Sequence, residues 1–210
     1  MSAKVKNDAR SCILNTAAKL FSKLGIDKTS TRDISKESSA NISLISYHFG
    51  GKEGLYKQVI KEFALKVQAE MRPVIQQFDL ENVSREDFIR EVTHIIDRLI
   101  KMHLEHPEIS KILSRERIEG MPLSKDVHEE IFYPLIQKFY DLFKAAQRNK
   151  IVKPNINAAI FFTMLSEGVW GFYEIVDCST SLRNDCDEFY KNSDLLKKQI
   201  IDIYLSGVLI

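Results

Sequence analysis

Apolar side chains return every three or four residues along almost the whole chain. Near the N-terminus the series is Ile13, Leu14, Ala17, Ala18, Leu20, Phe21 and Leu24. After residue 52 it resumes as Leu55, Val59, Ile60, Phe63, Leu65 and Val67. An α-helix turns once every roughly 3.6 residues, so this spacing gathers the apolar groups on one side of a helix. Few residues interrupt the pattern: 210 residues hold only eight Gly and five Pro. An all-β chain needs many more turns than that, and no low-complexity linker or fixed-period repeat is present. The expected fold is all-α, with about nine helices. Gly25 stops the first helix. Short helices are expected over 32–38, with Thr31 as N-cap, and over 42–48, with Asn41 as N-cap. A long helix runs 53–72. Further helices are expected over 85–105, 108–119, 122–150, 155–176 and 188–209, with a polar loop at 177–187. Pro134 should kink or split its helix, because it lacks an amide donor and its ring clashes with the preceding turn.

The chain divides by charge as well as by helix length. Residues 1–52 carry nine Lys/Arg against four Asp/Glu, a net +5, while the whole chain is only +1. A small basic head on a mildly acidic body suits a polyanion that touches the head alone. The domains are therefore expected at 1–52 and 53–210, joined by helix 53–72. Three cysteines, Cys12, Cys178 and Cys186, form no C-x-x-C pair. They read as reduced thiols, with a thiol sensor at Cys178 and Cys186 as the alternative. No apolar signal segment follows the basic N-terminus. The uncharged, apolar-rich stretch 154–166 is shorter than the about 20 residues a bilayer span needs. A cytoplasmic protein with no membrane partner is expected.

Two short helices joined by a tight turn, the second stopped by Gly50 and Gly51, make a helix-turn-helix pattern. Ile34, Ala40, Ile45 and Phe49 form its inward set, packing on Leu14, Ala17, Ala18 and Phe21. The outward face of the second helix is Ile42, Ser43, Ser46 and Tyr47, flanked by Leu44. The run Thr31-Arg32-Asp33-Ile34, followed by Ile45-Ser46-Tyr47-His48-Phe49-Gly50-Gly51-Lys52-Glu53-Gly54-Leu55-Tyr56, resembles the DNA-binding domain of the TetR (tetracycline repressor) family. The stretch from Asn41-Ile42-Ser43 to Phe49 further resembles its CecR-type subgroup. The resemblance covers residues 10–57, with general agreement in helix number and order beyond.

The resemblance implies a DNA interface made by Thr31, Arg32, Asn41, Ile42, Ser43, Leu44, Ser46, Tyr47, His48 and Lys52. Thr31, Tyr47, His48 and Lys52 match backbone-contacting positions. Arg32 matches a position that reaches a base edge or a phosphate, and Ile42, Ser43 and Leu44 match the groove-facing start of the recognition helix. A serine hydroxyl can donate or accept there, and Ile and Leu can meet a thymine methyl. Two residues depart from the family pattern. Ser39 stands where glycine is usual, and Ser46 replaces a larger tyrosine.

One head offers few base contacts, so a two-fold homodimer on a palindromic duplex operator is expected. The last two helices are the candidate interface, through Ala158, Ala159, Phe161, Leu165, Gly168, Phe172, Ile200, Ile203 and Tyr204. A monomeric core helix is the alternative reading of 156–176. The resemblance also implies a cavity for a small hydrophobic or amphipathic effector, with Leu99, His103, Arg115, Phe132, Phe139, Phe162, Glu167 and Trp170 as candidate lining. The expected function is a ligand-released, sequence-specific repressor. The alternative is a DNA-binding protein of this fold controlled by a protein partner or by no ligand. Catalysis is not expected: G-x-S-x-G, H-E-x-x-H and Gly-rich phosphate loops are all missing from the sequence. His103 and His106 lack a third ligand, so no metal site or cofactor is expected.

Overall fold

Side-chain caps decide where most of the helices begin. The computed structural model describes residues 3–75 and 79–210. Helix α1 spans Ala3–Leu24, and Gly25 ends it with φ 80°. Helix α2 spans Thr31–Ser38, and its N-cap is Ser30 rather than Thr31. The Ser30 side chain accepts the Asp33 amide while the Asp33 carboxylate accepts the Ser30 amide, a reciprocal capping box that Thr31 has no partner to make. Ser39 then turns the chain with φ 53°. A left-handed serine costs about 1–2 kcal/mol. The turn is tied by Ser35, whose hydroxyl donates to the Ala40 carbonyl at 2.6 Å. Helix α3 spans Ile42–Phe49, capped by Asn41 and closed by Gly50 at φ 73°. Helix α4 follows at once as Lys52–Ile75.

Helix α5 spans Arg85–Glu105, with a second capping box from Ser84 and Asp87. Helix α6 spans Pro107–Ile118, and Pro107 occupies the first turn, where a missing amide donor costs nothing. The expected split at Pro134 takes a specific form. A short helix α7, Lys125–Val127, widens into a π turn at His128–Phe132, and helix α8 restarts as Tyr133–Arg148. The wider turn precedes the proline whose ring a regular α-turn would obstruct. Helix α9 spans Ala158–Cys178, capped by Asn157. The expected loop at 177–187 is instead largely helical: α10, Thr180–Asp185, and α11, Asp187–Lys191. The last helix begins later than expected. Asn192 breaks the chain and caps α12, Ser193–Val208. One isolated antiparallel bridge joins Val152 and Leu209.

The helices sort into two compact units that do not follow chain order. The first comprises Met1–Met71 and Pro107–Leu135, and the second Arg72–His106 and Ile136–Ile210. The expected division at 52/53 thus differs from the one that contacts define. In the first unit, Ile13, Leu14, Ala17 and Phe21 of α1 bury against Ile34, Ile45 and Phe49. Each large side chain withdrawn from water contributes about 1.5–3 kcal/mol. In the second unit, α5 packs on α9 and α12. Its core holds Phe88, Phe139, Phe143, Phe161, Leu165 and Tyr173. By length and composition α9 alone among the described residues is apolar enough to cross a membrane. It also carries Glu167, Glu174 and Asp177, and its Phe161, Leu165, Val169 and Tyr173 side is core.

Candidate nucleic-acid interface

Helix α3 presents two opposite faces. Ile45 and Phe49, four residues apart, are buried against α1 and α2. On the other side Ser43 and Ser46 are exposed, Ile42 is 41% exposed and Tyr47 is 74% exposed. Leu44 and His48 are half-buried at the flanks, with the His48 ring edge-on to Tyr47 at 4.8 Å. Arg32 on α2 is exposed and Thr31 is half-buried. Tyr47 supplies an aromatic body and a hydroxyl, Ser43 and Ser46 supply hydroxyls, and Ile42 supplies an apolar tip. Groups of these types can meet base edges and phosphates, and exposed Arg32 on α2 adds a guanidinium.

Two features hold α3 at this angle. Lys52 donates from Nζ to the Ile26 carbonyl at 2.8 Å, tying the start of α4 to the loop after α1. The remaining ammonium hydrogens are what Lys52 has for a phosphate. Gly54 has no such freedom: a Cβ there would lie 1.8 Å from the Phe49 carbonyl oxygen. The end of α3 therefore meets the first turn of α4 backbone to backbone. The motif contains Gly54, but only the coordinates reveal why a side chain is forbidden.

Other contributors carry no motif. The Arg10 guanidinium lies 5.5 Å over the Phe49 ring and pairs with Glu62. Arg115 on α6 donates to the Phe21 carbonyl at 2.7 Å, capping α1. Glu116, buried, accepts from the Ser124 amide at 2.9 Å and hydroxyl at 2.7 Å. It also faces Tyr56, whose phenol is pushed well above its ordinary range, first by burial and then by the Glu116 carboxylate. A long sequence separation hides the pairings of Arg10 with Glu62, Arg115 with Phe21 and Glu116 with Tyr56.

The family model described as "Bacterial regulatory proteins, tetR family" matches residues 13–59, which span this head. The chain is similar to that family over this head. It is 24% identical over 112 residues to the probable HTH-type transcriptional regulator YttP of Bacillus subtilis, covering 53% of this chain and 52% of that protein. It is 26% identical over 133 residues to the HTH-type transcriptional dual regulator CecR of Shigella flexneri, covering 60% and 59%. It is 30% identical over 117 residues to the HTH-type transcriptional repressor NicS of Pseudomonas putida, covering 55% and 51%. The chain thus spans little more than half the length of the curated relatives it matches. The fold extends further. The ketosteroid transcriptional regulator KstR2 of Mycobacterium tuberculosis aligns at TM-score 0.69 and 16% identity, over 96% of this chain and 95% of that one. The hemolysin II transcriptional regulator HlyIIR aligns at 0.65 and 19%, over 95% and 98%.

The candidate effector residues divide between the two units. Arg115 and Phe132 belong to the first unit, and Arg115 is committed to the Phe21 carbonyl. Glu167 is exposed on α9. Phe139 is core, 5.1 Å from Phe162 and stacked on Phe161 at 6.1 Å. Leu99 is half-buried on α5. His103 and Trp170 do meet, edge to face at 6.4 Å, and His103 stacks on Tyr173 at 4.2 Å. Tyr173, absent from the sequence-derived set, is fully buried, and its hydroxyl has no hydrogen-bond partner among the described residues. Burial, then Tyr190, pushes that phenol up to about 12, so it stays a donor.

The candidate dimer residues also divide. Ala158, Phe161, Leu165 and Ile200 are buried within the protomer, Phe161 against Phe139, Phe143 and Tyr204. Gly168 gives its space to Tyr204, whose hydroxyl donates to the Met164 carbonyl at 2.8 Å; a Cβ on Gly168 would lie 2.3 Å from that hydroxyl. Phe172 and Tyr204 are half-buried, and Ala159 is exposed. Ile203 is 61% exposed, as are Ile160 and Met164 of the same candidate helix pair.

Proposed function

We propose that the protein is a homodimeric, sequence-specific DNA-binding transcriptional regulator that acts in the cytoplasm as a repressor released by a small ligand. The observation that carries the reading is the outward face of α3. Ile42, Ser43, Ser46 and Tyr47 are exposed beside Arg32 within the segment that matches the tetR family. The net +5 of residues 1–52 supports a polyanionic partner at that end. Thr31, Tyr47, His48 and Lys52 contact the backbone, and Arg32, Ile42, Ser43, Leu44 and Ser46 face the groove, with Asn41 holding the helix end. The exposed apolar side chains Ile160, Met164 and Ile203 provide the surface for the second copy. The effector is a small hydrophobic or amphipathic molecule, held in the second unit where the Tyr173 hydroxyl donates to it. It acts through differential affinity for two conformations of the dimer. The protein is a regulator and not a catalyst.

Binding to a duplex selected from random sequence, titrated against salt, tests the reading. Affinity should fall steeply with salt, and Lys52→Ala should weaken all sequences alike while lowering the salt slope by about one. Salt-independent binding, or none, refutes the DNA-binding role. An affinity that stays flat across a broad panel of small hydrophobic compounds refutes the ligand control and favours control by a protein partner.

A further inference from the structure

The proton on the Ser43 hydroxyl is already committed. The Asn41 side chain meets Ser43 twice through one atom: the Ser43 amide donates to it at 2.9 Å, and Ser43 Oγ lies 2.8 Å from it. An amide N–H only donates, so the Asn41 atom facing it is the carbonyl oxygen Oδ1. That oxygen carries no hydrogen, so in the second contact the Ser43 hydroxyl is the donor. A hydroxyl has one hydrogen. What Ser43 has left is lone pairs, on an exposed side chain at the outward start of α3.

We propose that Ser43 is a hydrogen-bond acceptor in the major groove, and that Asn41 fixes this polarity. The inference rests on the DNA-binding reading above and sharpens it, because a free serine discriminates little while an acceptor-only one does. In the major groove the base donors are the exocyclic amino groups, N6 of adenine and N4 of cytosine. Guanine and thymine present the acceptors O6 and O4 at the corresponding edge. Ser43 therefore selects an amino base, adenine or cytosine, on the strand it faces, and opposes guanine or thymine lone pair to lone pair. A change from adenine to cytosine is tolerated at this position, and a change from adenine to guanine or from cytosine to thymine is not. Asn41 thus acts as a positioning residue for base choice as well as a helix cap.

The test is selection from a random duplex library by the full-length protein and three variants, with the bound sequences counted. The position that loses preference in Ser43→Ala identifies the base Ser43 reads. There the wild type should favour adenine or cytosine by about tenfold, the usual order for one mismatched pair. Asn41→Asp keeps an oxygen that accepts both Ser43 donors, so it should keep the base order while lowering affinity for every sequence. Asn41→Gly is a tolerated cap, costing only a few tenths of a kcal/mol. It frees the hydroxyl and should admit guanine or thymine. Where adenine is selected, replacing it by 2-aminopurine moves the amino group to the minor groove and should cost the wild type about tenfold. Guanine or thymine at the Ser43-dependent position overturns the proposal. So does a base order unchanged in Asn41→Gly, or a palindrome enriched with no Ser43-dependent position. If the wild type enriches no sequence at all, the DNA-binding reading itself fails, and this inference fails with it.

Discussion

Replacing Gly54 by alanine tests whether the backbone contact between α3 and α4 positions the reading helix. The new Cβ would stand 1.8 Å from the Phe49 carbonyl oxygen, where real Cβ contacts essentially never fall below 3.0 Å. The deficit is more than 1 Å, and neither side yields easily. The obstacle is a backbone atom, followed directly by Gly50 and Gly51 at φ 73° and 115°. The Phe49 ring is itself buried in the three-helix core. Overpacking of this kind costs about 1–3 kcal/mol. Alanine's better helix propensity returns at most about 1 kcal/mol. With a rigid obstacle the upper end applies, leaving a net loss of about 2 kcal/mol, or roughly 4–8 °C in Tm for a chain of this size. If the clash is relieved by displacing α3, DNA affinity should also fall by about tenfold, the value of one base contact. Thermal unfolding and a DNA titration read the two effects. Gly171→Ala is the control, since nothing lies within 4 Å of its added Cβ; it should raise helix stability slightly. A Gly54→Ala protein that melts at or above the wild-type temperature with full DNA affinity refutes the argument.

Three further outcomes are expected. Arg115→Ala removes the charged donor from the Phe21 carbonyl at the end of α1, and should destabilise the protein by about 1–2 kcal/mol in urea unfolding; Arg115→Lys should recover only part, because the guanidinium fork is lost. Acid stability should show the two capping carboxylates. Asp33 and Asp87 are held below the ordinary carboxylate range, first by the hydroxyls of Ser30 and Ser84. Their contribution is complete above the unfolded value of about 3.9 and is lost as pH falls through the lower folded value. In Asp33→Asn/Asp87→Asn the fall in Tm between pH 5 and 2 should flatten, and an unchanged slope would count against it. Ile203→Glu and Ile160→Glu place charges on side chains 61% exposed in the protomer, so folding should survive while sedimentation shifts from dimer to monomer.

The sequence revealed what depends on local spacing. Ile45 and Phe49 are four apart on an eight-residue helix, so one face is core and the other is outward, and the coordinates repeat that division. Asn41, Gly25 and the turn at Ser39 were readable for the same reason, because caps and left-handed positions are decided within a few residues. Ser30 was missed because two adjacent residues could both cap, and only the reciprocal bond to Asp33 decides between them. Tertiary partners were not readable. Nothing near Arg115 in sequence announces a carbonyl 94 residues away, so its partner could not be read from spacing. On α9, apolar residues occur nearly all round, so periodicity could not separate the core face of Phe161 and Leu165 from the open face of Ile160 and Met164. Only the positions of α5 and Tyr204 break that symmetry.

The division of the chain also constrains how any ligand control must work. Residues 107–135 cluster with the head and not with the helices on either side of them in sequence, so the chain passes between the two units at 71/72, 106/107 and 135/136. Within the first unit that segment is fastened to α1 and α4 by Arg115 on the Phe21 carbonyl, by Glu116 facing Tyr56, and by Lys57 on Asp126 at 2.7 Å. Three covalent crossings join the two units, and two of them bound a segment already bonded to α1. For a near-complete switch the ligand's affinity must differ between the two states by about 10⁴, or about 5.5 kcal/mol. The Arg115–Phe21 bond transmits part of that difference only if it persists in both states. Cutting it by Arg115→Ala should then reduce the ligand's effect on DNA affinity by more than it reduces DNA affinity alone. Equal reductions would mean that the coupling travels along α4 instead.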